Sequence, residues 1–262
     1  MASVKGWRFG VGPFSFAGYE AGMGDEIVLS GVGLRLSGRD VLAGVSLRLS
    51  ERRIGIVGRN GSGKTSLLRV MAGLVAPTFG TVHVAGLDPG RDRKAMLGAV
   101  GILFQNPDHQ ILFPTVGEEL AFGLLQQGAA KGDASARVKA VLAAEGRSHW
   151  EVAATHTLSQ GQRQYLCLLA VLAMAPEWLL LDEPFAALDV PTQIRLRRRL
   201  EGLGQRVVTI SHDPAAVEGS DRVIWLEGGK VQMDGAAGPV LAEFRGEMAR
   251  QGGTDADTDL SR

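Results

Sequence analysis

Apolar residues in the 262-residue chain gather into short runs, with longer stretches of helical spacing between many of them. Glu26–Leu29 and Val41–Leu49 read as strands, and Arg53–Val57 as a further strand that runs straight into a glycine-rich turn. Thr81–Val84, Val100–Phe104, Trp178–Leu181, Arg206–Ile210 and Arg222–Trp225 read as buried strands. Thr65–Leu74, Gly117–Leu125, Ala134–Ala144 and Gly161–Ala175 have helical spacing. Helices between several of the strands predict an α/β fold whose sheet is mainly parallel and flanked by helices. The strand pattern vanishes between Asn106 and about Ala175, so that block is expected to be a helical insertion. The expected organisation is an irregular extension over 1–25, core over 26–105, helical subdomain over 106–175, core again over 176–245 and a polar tail over 246–262. The extension carries Trp7, Phe9, Phe14, Phe16 and Tyr19 among glycines with no clear period.

Composition narrows the partners. Twenty-eight basic residues balance twenty-eight acidic ones, which argues against a nucleic-acid binder. Cys167 is the single cysteine, so no intrachain disulfide forms and a reducing compartment fits. The most apolar stretch, Tyr165–Ala175, has about half of the ~20 residues a membrane span needs, and Pro176 ends it. Trp7, Arg8 and scattered glycines interrupt any leader-like run near the N-terminus. A membrane role is expected to come through a partner.

The chemistry begins at Gly58-Arg59-Asn60-Gly61-Ser62-Gly63-Lys64-Thr65, followed by Ser66. This matches the phosphate-binding P-loop pattern, between a strand and a helix as that pattern requires. Its glycines let backbone N–H groups turn inward around phosphate oxygens, and the helix start adds its positive dipole end. Lys64 can then reach the β- and γ-phosphates of ATP, and the Thr65 hydroxyl can ligate Mg²⁺. Trp178-Leu179-Leu180-Leu181-Asp182-Glu183 is an apolar strand ending in two acids at the sheet edge where α/β folds bind ligands. Asp182 suits the Mg²⁺ shell, and Glu183 suits the orientation of an attacking water.

Leu158-Ser159-Gln160-Gly161-Gln162 opens an apolar helix downstream of the P-loop and resembles the signature of ABC ATPases. Gln160 stands where that family usually has the first of two glycines, while Ser159 and Gly161 match. The resemblance, over roughly residues 26–245, implies a RecA-like P-loop NTPase core with an antiparallel β edge subdomain and an inserted α-helical signature subdomain. It implies a head-to-tail dimer of two ATPase chains, identical or close paralogues, in which residues Ser159, Gln160, Gly161 and Gln162 contact the partner chain's ATP. It also assigns Gln105 to sensing Mg²⁺ and γ-phosphate, Asp189 to a loop that touches the partner, and His212 to the γ-phosphate. Catalysis would then fall to Glu183, His212 and Gln105, and the metal to Thr65, Gln105 and Asp182. The aromatic that usually stacks on adenine is missing from Leu34–Arg39; Arg35, Leu36 and Tyr19 are the available substitutes.

Phe104-Gln105-Asn106-Pro107-Asp108-His109-Gln110-Ile111-Leu112-Phe113 resembles the glutamine loop of energy-coupling-factor (ECF) type importers. The stretch from Pro114 to Gly123 continues the likeness, with Gly117 where an acid is commoner. This implies a peripheral ATPase at the cytoplasmic face of the cell membrane. Its partners would be a membrane scaffold subunit and, through it, a substrate-binding membrane protein. The cargo would be a vitamin or cobalt/nickel, and the wording of residues 106–111 is slightly closer to biotin importers. Ile111–Phe113 is expected to help form a groove for a partner's helix. Arg163 is expected to cap or pair locally. The alternative is a soluble ABC ATPase of DNA repair or translation; sustained heptads or a second cassette in the chain would favour it, and neither is present.

Overall fold

The computed structural model describes residues 25–186 and 188–252. Their strands form two sheets. In the antiparallel sheet, β1 (Ile27–Leu36) lies between β2 (Arg39–Leu49) and β4 (Phe79–Val84). The other sheet has the order β5 (Val100–Leu103), β6 (Trp178–Asp182), β7 (Arg206–Ser211), β3 (Arg53–Val57), β8 (Arg222–Glu227) and β9 (Lys230–Gly235). Its pairings are parallel apart from the antiparallel β8–β9 hairpin.

Side chains of a strand alternate between faces, and here the alternation sorts two cores. Ile54, Ile56, Trp178, Leu180, Val208, Ile210 and Ile224 pack with α1 (Lys64–Met71) and the antiparallel sheet. Leu179, Leu181 and Val207 point the other way, into a core with α5 (Gln160–Ala173) and α6 (Val190–Glu201). On that same side Val57 and Val223 pack under α7 (Ala237–Gly252). The layers therefore run antiparallel sheet, α1, parallel sheet, outer helices. The helices α3 (Val116–Gln126) and α4 (Lys131–Ala144) close a further core with α5 through Val116, Leu120, Leu142, Leu166 and Leu169. Helix α5 thus belongs to the insert through one face and to the parallel sheet through the other.

Several expectations need correcting. The strand expected over 26–29 runs on to Leu36, because register shifts absorb the glycines that break its alternation. Residues 81–84 belong to β4, which pairs with β1 in the antiparallel sheet and not with the parallel strands. The polar tail does not begin at 246: α7 continues to Gly252, pinned by Val240, Leu241, Phe244 and Met248 against β8. Helices α2 (Arg93–Ala99) and α6 and strand β9 were not expected. The N-terminal extension to residue 24 and the chain after 252 lie outside the described residues.

Leu168 is fully buried between α5 and the parallel sheet. Leu168→Ala is expected to cost about 2–5 kcal/mol, read as a lower denaturant midpoint with an unchanged slope.

Candidate active site

The ends of four adjacent strands build the site. β3 delivers the glycine-rich turn, in which Gly61 (φ +79°) and Gly63 (φ +101°) take left-handed backbone before α1 begins at Lys64. A Cβ on Gly58 would lie 2.1 Å from the Leu226 carbonyl oxygen, so only glycine fits there. Lys64 is buried; its Nζ donates to the carbonyls of Gly58 at 2.7 Å and Arg59 at 2.8 Å. Burial pushes the Lys64 pKa down, opposed by Glu183 and Asp182 nearby. The buried Ser62 hydroxyl has no hydrogen-bond partner among the described residues. An inward-facing polar atom without a partner suits a loop that wraps an anion.

Strand parity explains Asp182. It follows Trp178 and Leu180 onto the α1 face, where the Thr65 hydroxyl donates to its Oδ1 at 3.1 Å. Burial raises the Asp182 pKa, with the Thr65 hydrogen bond opposing. A buried carboxylate beside a hydroxyl is an oxygen donor set suited to a hard divalent cation such as Mg²⁺. Gln105, exposed beyond the end of β5, is the third expected member.

Glu183 leaves the strand in left-handed backbone (φ +47°), an uncommon conformation for a side chain of that size. Its own N–H still donates to the Ile210 carbonyl at 2.9 Å, so the ladder with β7 is kept while the side chain turns. Ser211 Oγ donates to Glu183 Oε2 at 2.8 Å, and the His212 amide donates to Oε1 at 2.8 Å. The His212 ring places Nδ1 2.7 Å from the same Oε1. Ser211, one residue past the strand expected over Arg206–Ile210, is a site residue that no sequence pattern marks.

Residues 159–162 stand elsewhere, at the start of α5, which packs on the sheet face opposite α1. Ser159 caps that helix: its Oγ accepts from the Gln162 amide at 3.3 Å, and Gln162 Oε1 accepts from the Ser159 amide at 2.7 Å. Ser159, Gln160 and Gln162 are exposed. Gly161 lies against α6, where an added Cβ would sit 2.9 Å from the Thr192 methyl. Asp189 caps α6, accepting from the Thr192 amide at 2.9 Å, and hydrogen bonding to Thr192, through its side chain first and its amide second, holds the Asp189 pKa below the usual range. Ala187 lies outside the described residues.

Arg163 reaches farther than a local cap. It donates to the Leu158 carbonyl at 2.8 Å and pairs with Asp108 of the glutamine loop at 3.1 Å. Residues 111–113 divide. Ile111 packs into both helical cores, Phe113 tilts against Phe122 at 5.1 Å, and Leu112 alone is widely exposed, at 67%. Buried Glu119, which sequence reasoning missed, holds this loop by accepting from the amides of Leu112 at 2.9 Å and Phe113 at 3.0 Å. Of the substitutes for an adenine platform, Arg35 is engaged by Asp40 through two hydrogen bonds, Leu36 is 44% exposed, and Tyr19 lies outside the described residues.

Comparison with known proteins gives a consistent result. A family model described as ABC transporter matches residues 42–186. The biotin transport ATP-binding protein BioM of Rhodobacter capsulatus is 53% identical over 217 residues, covering 83% of this chain and 93% of that protein. The energy-coupling factor transporter ATP-binding protein EcfA1 of Symbiobacterium thermophilum is 40% identical over 198 residues, covering 72% of this chain and 68% of its own. Among solved structures, the dimeric post-hydrolysis state of the ATP-binding cassette MJ0796, bound to ADP and Pi, superposes with a TM-score of 0.70 at 26% identity. That likeness covers 80% of this chain and 98% of the cassette.

Because Asp182 has a raised pKa in the fold, its charged form is held less well there than in the unfolded chain. Its contribution to stability is present at low pH and lost as pH rises through the folded pKa. Asp182→Asn is therefore expected to raise the melting temperature at pH 7, without nucleotide or metal. The advantage should shrink as pH falls toward about 4.

Proposed function

The chain belongs to the ABC transporter ATP-binding family, and on that footing we propose that it is the ATP-hydrolysing subunit of an ECF-type importer whose cargo is biotin. The observation that carries the hydrolytic chemistry is the meeting of Glu183 and His212 at 2.7 Å beside the Thr65–Asp182 pair. The importer and its cargo rest on the likeness to a biotin transport ATPase and to an energy-coupling factor ATPase.

In this reading the backbone N–H groups from Gly58 through Gly63 to Ser66 wrap the phosphates, with Asn60, Gly61 and Ser62 at the bend. Lys64 sets its ammonium against the β- and γ-oxygens. Mg²⁺, held by Thr65, Asp182 and Gln105, would neutralise charge that develops on the phosphates. Glu183 orients the attacking water and polarises it, a task worth ~10²–10⁴ in rate. Ser211 and His212 fix the Glu183 carboxylate, and in this reading the His212 imidazole would meet the γ-phosphate.

One chain offers two separate half-sites: the P-loop cluster on one side of the sheet and residues 159–162 at an exposed helix start on the other. Such a helix start has unsatisfied N–H groups and a positive dipole end, both suited to phosphate. A second ATPase chain, identical or paralogous, would complete each site head to tail, with Asp189 in the contact loop. ATP then holds the dimer closed, and hydrolysis releases it. The closing motion would pass through the helical insert to a membrane scaffold subunit, and through that to a biotin-binding membrane protein. This would fix the chain at the cytoplasmic face of the membrane. No helix among the described residues is long and apolar enough to cross a membrane itself. Leu112 is the residue of the glutamine loop that offers exposed apolar surface for docking.

Glu183→Gln is expected to lower ATP turnover by ~10²–10⁴ and to let an ATP-bound dimer accumulate in size-exclusion chromatography. Turnover at the wild-type rate would remove Glu183 from the mechanism. A tagged chain recovered from detergent-solubilised membranes is expected to bring a scaffold subunit and a small biotin-binding protein with it. Leu112→Glu should lose both while binding ATP normally; recovery only from the soluble fraction would end the importer reading.

A further inference from the structure

β5 is the edge strand of the parallel sheet, and Gln105 follows it after one intervening residue, Phe104. An edge strand presents backbone groups without a neighbouring strand. Here side chains serve as that neighbour. Gln110 accepts from the Phe104 amide at 3.0 Å through Oε1, and through Nε2 donates to the Ile102 carbonyl at 3.1 Å. Gln164, on the signature helix α5, donates from Nε2 to the Phe104 carbonyl at 3.2 Å. That carbonyl belongs to the planar peptide unit whose nitrogen is Gln105's own, so Gln164 holds the unit that launches Gln105.

Gln164 is 2% exposed, yet its Oε1 has no partner among the described residues. Burying an amide with half its capacity unused lowers stability, and an apolar residue of equal volume would avoid the cost. The position therefore serves something other than packing. Its neighbours add to this. Arg163 pairs with Asp108 in the loop beyond Gln105, and Tyr165 donates to the Glu145 carboxylate, which pairs with Arg199 of α6 at 2.8 Å. Three consecutive residues of α5 thus tie it to two other parts of the molecule. Ser159, which caps the same helix, lies five residues before Gln164, about 7.5 Å along the axis.

We propose that Gln164 and Gln110 are positioning residues for Gln105, and that Gln164 makes the aim of Gln105 follow the signature helix. The proposal rests on the reading of Gln105 as a residue that meets Mg²⁺ and γ-phosphate. When residues 159–162 engage a partner's nucleotide and α5 shifts, the Gln105 peptide shifts with it. Hydrolysis at a chain's own P-loop is then tuned by whether that chain's signature is occupied.

The test uses the full-length purified chain and steady-state ATP hydrolysis. Gln164→Met and Gln110→Met keep side-chain volume and remove the amide. Each is expected to lower kcat about five- to tenfold with KM for ATP nearly unchanged. Combined with Gln105→Ala, neither is expected to lower kcat further, because the path through Gln105 is already gone. An equal fold-loss in the wild-type and Gln105→Ala backgrounds would overturn the proposal and return both glutamines to structural bracing. So would wild-type kcat in the single variants. If Gln164→Met fails to fold, Gln164→Leu takes its place in the same comparison. If Gln105→Ala itself hydrolyses ATP normally, the assignment of Gln105 falls, and the proposal falls with it.

Discussion

Charge is buried at the C-terminal edge of the parallel sheet, and the arrangement around it follows from the need to satisfy that charge. Lys64, Asp182 and Glu183 all lie inside the protein, where an unpaired ion would cost several kcal/mol. Each is met by a group that an adjacent element must deliver. The turn after β3 folds back so that its own carbonyls receive Lys64, α1 starts where Thr65 can reach Asp182, and β7 ends so that Ser211 and His212 can close on Glu183. The strand order β6-β7-β3 is what brings these ends side by side.

The helical insert is attached to this edge with two different kinds of contact. Apolar packing of Leu168, Leu172 and their neighbours fixes α5 to the sheet. Directed polar ties from its first turns reach the glutamine loop and Glu145 after α4, which in turn pairs with Arg199 of α6. Packing tolerates small sliding, whereas a hydrogen bond loses its strength within a few tenths of an ångström and a modest angle. A subdomain joined in both ways can move as a body and still report its position at a few named atoms.

Much of the core was legible because strands buried on both faces write themselves as apolar runs, as Trp178–Asp182 does with its five buried residues. The phosphate turn was legible because glycine spacing is a backbone requirement and needs no tertiary context. Helix α6 was hidden: only Leu196 and Leu200 of its twelve residues are buried, while Val190 and Ile194 face out among arginines. Helix α7 carries a readable stripe of Val240, Leu241, Phe244 and Met248, but Gly238, Pro239 and Gly246 are poor helix formers that mask it. Ser211, Glu119 and Gln164 could not be read as site or bracing residues. Their partners lie at separations fixed only by tertiary structure, and a serine, a glutamate or a glutamine carries no pattern of its own.

The left-handed backbone at Glu183 has an evolutionary consequence. Glycine is the residue that would relax that conformation, yet glycine has no carboxylate to receive Ser211 and His212. Backbone ease and side-chain contact therefore pull position 183 in opposite directions. On the role proposed for Glu183, a descendant that gave up the acid would keep the phosphate turn and become a nucleotide-binding scaffold.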